Sequence, residues 1–182
     1  VADAALHAGA SRDALAATVG RAATGRGVRR AREVLGLADE GAESAGESMA
    51  RAALLAVGLP PPETQVRIQT IEGPFWADLG WRQWRVLGEY DGRAKYGRTA
   101  SDPAALVREK RREDLLRDEG WRVVRLTSRD LADPTAMAAR VLGVVPRSAQ
   151  GSLTPRPFLL AGVGQTAERV RSRRRRHEQV TS

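Results

Sequence analysis

A chain of 182 residues with a formal charge of +8 is long enough to close one hydrophobic core, so a single domain with added helices is the starting expectation. The absence of cysteine excludes a disulfide frame and thiolate metal ligation, and no apolar stretch reaches the roughly 20 residues of a membrane-spanning helix. Nothing resembles a signal peptide, and the cytoplasm is the default location.

Lys95 and Lys110 are the only lysines among 30 basic residues. With so much alanine beside it, the arginine excess has the look of a GC-rich coding bias, which weakens arginine count as an argument for nucleic acid. A retained lysine gains interest, because an ammonium can release its proton where a guanidinium practically cannot.

Residues 1–42 are alanine-rich with apolar positions at helical spacing, interrupted at residues 9–11 and again at TGRG, so two or three short helices are expected. This segment carries no nameable chemistry; it packs on the main domain or is the remnant of something longer. In ESAGESMARAALLAVGLPPP a helix starts near Ser44 and stops at Gly58, with prolines closing it. Ser44 and Glu47 have capping-box spacing.

TQVRIQT, residues 64–70, alternates as a half-buried strand, and FWADLGW and WRVLGEY read as two more strands joined by a short hairpin. Residues 103–119 form a charged amphipathic helix, entered at Pro103 and left before Gly120, with Ala105, Leu106, Leu115 and Leu116 expected to face inward. WRVVRLT is a fourth strand, and residues 133–142 form a closing helix. The order α, β, β, β, α, β, α predicts an α/β fold with a mixed sheet.

From Thr154 an apolar run, PFLLAGVG, precedes RVRSRRRRHE, where a frayed helix or disordered tail is expected. Arg173, Arg174, Arg175 and Arg176 are either solvated or attract phosphate in a salt-dependent way. His7 and His177 lie in peripheral segments, where exposure is expected.

Asp78 on the second strand and Glu89 at the end of the third are brought side by side by the hairpin, so that their carboxylates could share one ion. Hard divalent cations take one or two carboxylates together with water and substrate phosphate oxygens. Asp91 and Lys95 follow across Gly92. The same residues also read as an ordinary strand end and Asp-Gly turn, and Glu47 already has a structural task in its capping box.

The run from ESAGES through VGLP, ADLGWRQWRVLGEYDGRAKYG and EKRREDLLRDEGWRVVRLTSRDL resembles a Vsr-like branch of the PD-(D/E)XK nuclease superfamily, long catalogued as a domain of unknown function. The similarity covers about residues 43–142, and places a nuclease-like domain at 43–146, a helical spacer at 1–42, and a linker with arginine-rich tail at 147–182. Such proteins often carry an amino-terminal winged helix related to an abortive-infection antitoxin, and residues 1–42 resemble the spacer that follows it.

The resemblance implies a restriction-endonuclease-like mixed sheet flanked by helices, with Glu47, Asp78, Glu89, Asp91 and Lys95 gathered at one sheet edge. Relatives of this kind have histidine at the position of Lys95, and their strand aspartate is followed by phenylalanine, whereas here Pro74 opens the strand and Leu79 and Gly80 follow the acid. A shorter or bulged strand is the expected result.

It further implies magnesium- or manganese-dependent hydrolysis of a phosphodiester bond, with DNA as the expected substrate. Asp78 and Glu89 would hold the metal, with Glu47 as a direct ligand or a residue orienting water. Lys95 would stabilise charge on phosphate or help position the nucleophile, and Asp91 would be a further ligand or the turn-former. Arg108, Lys110, Arg111 and Arg112 would grip the backbone with the tail arginines, although the same helix also reads as a solvated face laced by Glu109 and Glu113. Trp76, Trp81, Trp84 and Trp121 either stack on bases or fill the core around the sheet. The alternative is a nuclease fold that no longer cuts and serves as a nucleic-acid-binding or regulatory module of a toxin–antitoxin or phage-defence locus. No membrane partner is expected, and a homodimer is compatible with either reading.

Overall fold

The computed structural model describes residues 1–22, 26–92, 103–151 and 153–160. Three short helices come first, α1 (Ala2–His7), α2 (Arg12–Arg21) and α3 (Arg26–Gly36). Ser11 caps α2 by accepting the Ala14 amide at 3.1 Å. Then follow α4 (Ala45–Ala56), β1 (Glu63–Thr70), β2 (Gly73–Trp81), β3 (Val86–Asp91), α5 (Pro103–Asp118), β4 (Arg122–Thr127), α6 (Pro134–Leu142) and a single turn, α7 (Arg147–Gln150).

The sheet has four strands in the order β1-β2-β3-β4. β1 and β2 run antiparallel, as do β2 and β3, whereas β3 and β4 are parallel. A two-residue turn can join antiparallel neighbours, but a parallel pair needs a long crossover, and α5 lies in that crossover. The expected mixed α/β order is therefore the observed one.

Adjacent residues of a strand face opposite sides of the sheet, and Val86 and Leu87 divide the core in this way. Val86, Leu79, Trp81, Val124 and Leu126 pack with Ala50 and Leu54 of α4 and Met137 and Val141 of α6. Leu87 packs on the other side with Val66, Ile68, Ala77 and Leu116 of α5. Trp81 is 1 % exposed, and its indole N–H donates to the Pro60 carbonyl at 2.8 Å. Burying such a side chain is worth about 1.5–3 kcal/mol, which makes Trp81 a pin between β2 and the loop after α4.

The helix expected to face inward at Leu106 does not, because Leu106 and Val107 are each 67 % exposed while Leu115 and Leu116 are buried. Leu106 precedes Leu115 by about two and a half helical turns, which puts the two on opposite sides of α5. The inner stripe passes instead through Arg112, one turn before Leu115 and Leu116.

The amino-terminal helices dock on this core. Asp3 and Arg51 form an ion pair at 2.7 Å between α1 and α4, with side chains 11 % and 5 % exposed. The same Asp3 oxygen accepts the Asp39 amide at 3.0 Å. Up to residue 160 the expectation of a frayed helix or disordered tail starting at Thr154 is corrected, while the rest of that expectation lies outside the described residues. The Thr154 amide donates to the Gly58 carbonyl at 3.1 Å and the Arg156 amide to the Ala56 carbonyl at 2.8 Å, tying this stretch to the end of α4. No helix among the described residues is long and apolar enough to cross a membrane.

Candidate functional site

A regular strand keeps residues i, i+2 and i+4 on one face, yet Ala77 packs on the α5 side while Leu79 and Trp81 pack on the α4 side. The alternation slips at Asp78. The irregularity extends to β1, where Gln65, between the pairs Thr64↔Leu79 and Val66↔Ala77, has φ 48. A positive φ is uncommon outside glycine and marks a local distortion. The expected irregular strand is thus present, though β2 keeps nine residues.

The β2–β3 register stops at Leu79↔Gly88, so the next pair along would be Asp78 and Glu89. Instead the Asp78 carboxylate accepts the Tyr90 amide at 2.7 Å. A side-chain oxygen satisfies a donor that the departing neighbour strand leaves without a carbonyl, as a buried amide requires. The two acids therefore sit where β2 and β3 part.

Glu89 points to the α5 side and meets Arg112. The guanidinium donates to both carboxylate oxygens, Nη1 to Oε2 at 2.9 Å and Nη2 to Oε1 at 2.5 Å. Nη2 also donates to the Trp76 carbonyl at 3.0 Å, and the charged group lies 5.7 Å from the centroid of the Phe75 ring. Fork-to-fork geometry of this kind is the strong form of an ion pair. Sequence reasoning placed Arg112 with Arg108, Lys110 and Arg111 on a backbone-gripping face; its spacing to Leu115 and Leu116 is the signal that separates it from them. Arg111 pairs with Glu72 at the tip of the β1–β2 hairpin.

Glu47 enters from the third helical position of α4. Its amide donates to Ser44 Oγ at 3.1 Å, Ser44 Oγ donates back to Oε1 at 2.7 Å, and the Glu43 amide donates to Oε2 at 2.9 Å. Both carboxylate oxygens thus serve the helix start. The approach of this turn to the sheet depends on Gly46, where a Cβ would lie 2.0 Å from the Tyr90 ring. Gly46 went unmarked in the sequence because its partner lies far along the chain.

Burial pushes the Asp78 carboxyl above the ordinary carboxylate range. The Tyr90 amide pulls the other way, the negative charges of Glu47 and Glu89 push it further up, and Arg112 offsets part of that. Glu47, Asp78 and Glu89 therefore share one electrostatic neighbourhood. Among the described residues, no group of three or more Asp, Glu, His or Cys is arranged to hold a metal ion. Asp91 closes β3 opposite Thr127 of β4. Lys95 and the tail residues Arg173, Arg174, Arg175 and Arg176 lie outside the described residues.

The tryptophans divide. Trp81 is core and stacks on Trp84 with centroids 6.0 Å apart, whereas Trp76 is 51 % exposed, with the Arg67 guanidinium 5.8 Å from its ring centroid.

The chain is 37 % identical over 118 residues to two uncharacterized proteins of Mycobacterium tuberculosis, one from each of two strains. The match covers 64 % of this chain and 42 % of each relative, so the chain spans less than half the length of the curated relatives it matches. No family model and no solved structure matches.

Proposed function

We propose that the chain carries a restriction-endonuclease-like core of the Vsr-like kind, and that it hydrolyses phosphodiester bonds in DNA with magnesium or manganese. The supporting observation is the placement of Asp78 and Glu89 as the next pair beyond the β2–β3 register, with Glu47 acting on the same carboxyl from α4. The order from α4 to α6, with two antiparallel strand pairs and one parallel pair, is compatible with such a core.

The donor set suits a hard cation: two carboxylates, one of them destabilised by burial and by its acidic neighbours, supplemented by water and phosphate oxygens. When bound, the ion supplies Lewis acidity toward a phosphate oxygen and lowers the pKa of a bound water. Asp78 and Glu89 would be the ligands. Glu47, held by the start of α4, would act through its charge and by orienting water. Lys95 is proposed to stabilise charge on the phosphate, and Asp91 to shape the turn that carries it. Arg108, Lys110 and Arg111 are proposed to contact the backbone.

The test is cleavage of plasmid and single-stranded DNA with either metal by wild type and Asp78→Asn. Cleavage by wild type alone supports the reading, and equal behaviour of the two chains under every metal and substrate overturns it. One observation favours the second reading, a DNA-binding module that does not cut: Arg112 supplies Glu89 with a counter-charge from within the chain. Salt-sensitive DNA binding by a chain with no affinity for manganese would establish that reading instead.

A further inference from the structure

Arg112 joins α5 to the acids, and its surroundings are unusual for a helix-to-sheet tie. Its fork spans both oxygens of Glu89, and the two side chains are 24 % and 14 % exposed. Its charge also acts on Asp78, in opposition to Glu47 and Glu89. A single positive charge thus sits on Glu89 and acts on Asp78, the two acids that the proposed function assigns to a divalent cation.

A second acceptor waits on the same helix face. Glu109 lies one turn before Arg112, with Oε1 3.6 Å from Nη1, and is itself paired with Arg125 of β4. Rotation about the long arginine side chain away from Glu89 therefore leaves Arg112 near an acid. The Trp76 carbonyl, by contrast, belongs to the strand that carries Asp78 and holds the guanidinium toward the acids.

We propose that Arg112 is an exchangeable internal cation of the acid site. It holds Glu89 in place while no metal is bound, gives Glu89 up when a divalent cation enters, and is then free to bind a phosphate oxygen of the substrate. This rests on the metal-dependent reading above and adds to it a residue that sets metal affinity. The physical basis is competition: a guanidinium and a hard dication cannot share one carboxylate edge without repulsion, so one displaces the other.

The experiment is calorimetric titration of manganese alone into wild type, Arg112→Gln and Arg112→Lys, with thermal unfolding of each in the presence and absence of the metal. The control is Arg117→Gln, which alters an exposed ion pair with Glu113 and Asp114 on the same helix. Arg112→Gln is expected to tighten the manganese Kd by about tenfold, the scale on which residues around a metal site act. Arg112→Lys keeps the charge without the fork and should fall between the two. Without metal, Arg112→Gln should melt below wild type, and manganese should raise its Tm by more than it raises that of wild type.

A purely structural tie predicts the reverse, because loosening Glu89 would weaken metal binding. If wild type binds manganese and both Arg112 variants bind it equally or more weakly, the exchange is overturned while the metal site stands. If no chain binds manganese, including a folded Arg112→Lys, the metal-dependent reading itself falls and takes the exchange with it.

Discussion

The Asp78 carboxylate accepts the main-chain amide of Tyr90 at 2.7 Å, so that a side chain ends the ladder where β2 and β3 separate. The carboxyl is held in this position above its ordinary pKa, first by burial and then by the charges of Glu47 and Glu89, against the pull of the Tyr90 amide.

Asp78→Asn should therefore stabilise the fold. Asparagine keeps a carbonyl oxygen for the Tyr90 amide and removes the ionisation that burial opposes. Because the folded pKa lies above the unfolded one, the native state holds its proton more tightly, and wild-type stability falls as pH rises from the unfolded value through the folded value. The variant escapes that fall. Its Tm should exceed that of wild type at neutral pH, and the gap should close below the ordinary aspartate pKa of about 3.9. A pH series of thermal melts measures this; a variant less stable than wild type at neutral pH contradicts it.

Asp130 should behave in the opposite sense. Burial alone would raise its carboxyl, but the Thr127 hydroxyl and amide and the Arg140 guanidinium outweigh burial and lower it. A folded pKa below the unfolded one gives stability that is present above the unfolded value and is lost as pH falls through the folded value. Asp130→Asn should accordingly melt below wild type at neutral pH and approach it on acidification. Parallel melts of the two chains decide the matter, and a gap that widens in acid would refute it.

Gly46→Ala tests the seat of α4 against β3. A methyl group there meets the Tyr90 ring at 2.0 Å, and either the ring or the first turn of α4 must shift. Overpacking of this kind costs about 1–3 kcal/mol. Chemical denaturation should show that loss, and on the proposed nuclease reading cleavage should drop because Glu47 moves with the turn. A Gly46→Ala chain of wild-type stability would show that the contact is soft.

Asp3→Ala should cost about 3–5 kcal/mol, because it strands the buried Arg51 charge. The double variant Asp3→Ala/Arg51→Met should recover most of the loss, since a neutral side chain of similar length leaves no stranded charge. Urea unfolding of both chains checks this. Additive losses in the double variant would show that the pair contributes through something other than its charges.

Much of the fold was legible because the punctuation is clear. Ser44 with Glu47, Gly58 with its prolines, and Pro103 with Gly120 bracket two helices, and alternation marks β1. The inward face of α5 was misjudged at Leu106 because composition favours leucine inside, whereas the period counted back from Leu115 and Leu116 selects Arg112. A charged residue on an inner stripe is a usable signal, and it was hidden by the equal-looking Arg111 beside it. The nearness of Asp78 and Glu89 followed from the hairpin. The slip in β2 at Asp78 could be anticipated from Gly80 and Pro74, but the engagement of Glu89 by Arg112 could not, since it depends on how α5 crosses the sheet.

The pairing of Asp3 with Arg51 bears on how the molecule can be dissected. A shortened chain starting at residue 43 would discard the carboxylate along with the first three helices, leaving a bare guanidinium in α4 on the freshly uncovered side of the helix that presents Glu47. Trimming the alanine-rich segment is thus expected to disturb Glu47 through α4, since Arg51 follows it by one turn on the same helix face, and loss of the proposed activity in such a fragment would report on a lost counter-charge rather than on lost chemistry.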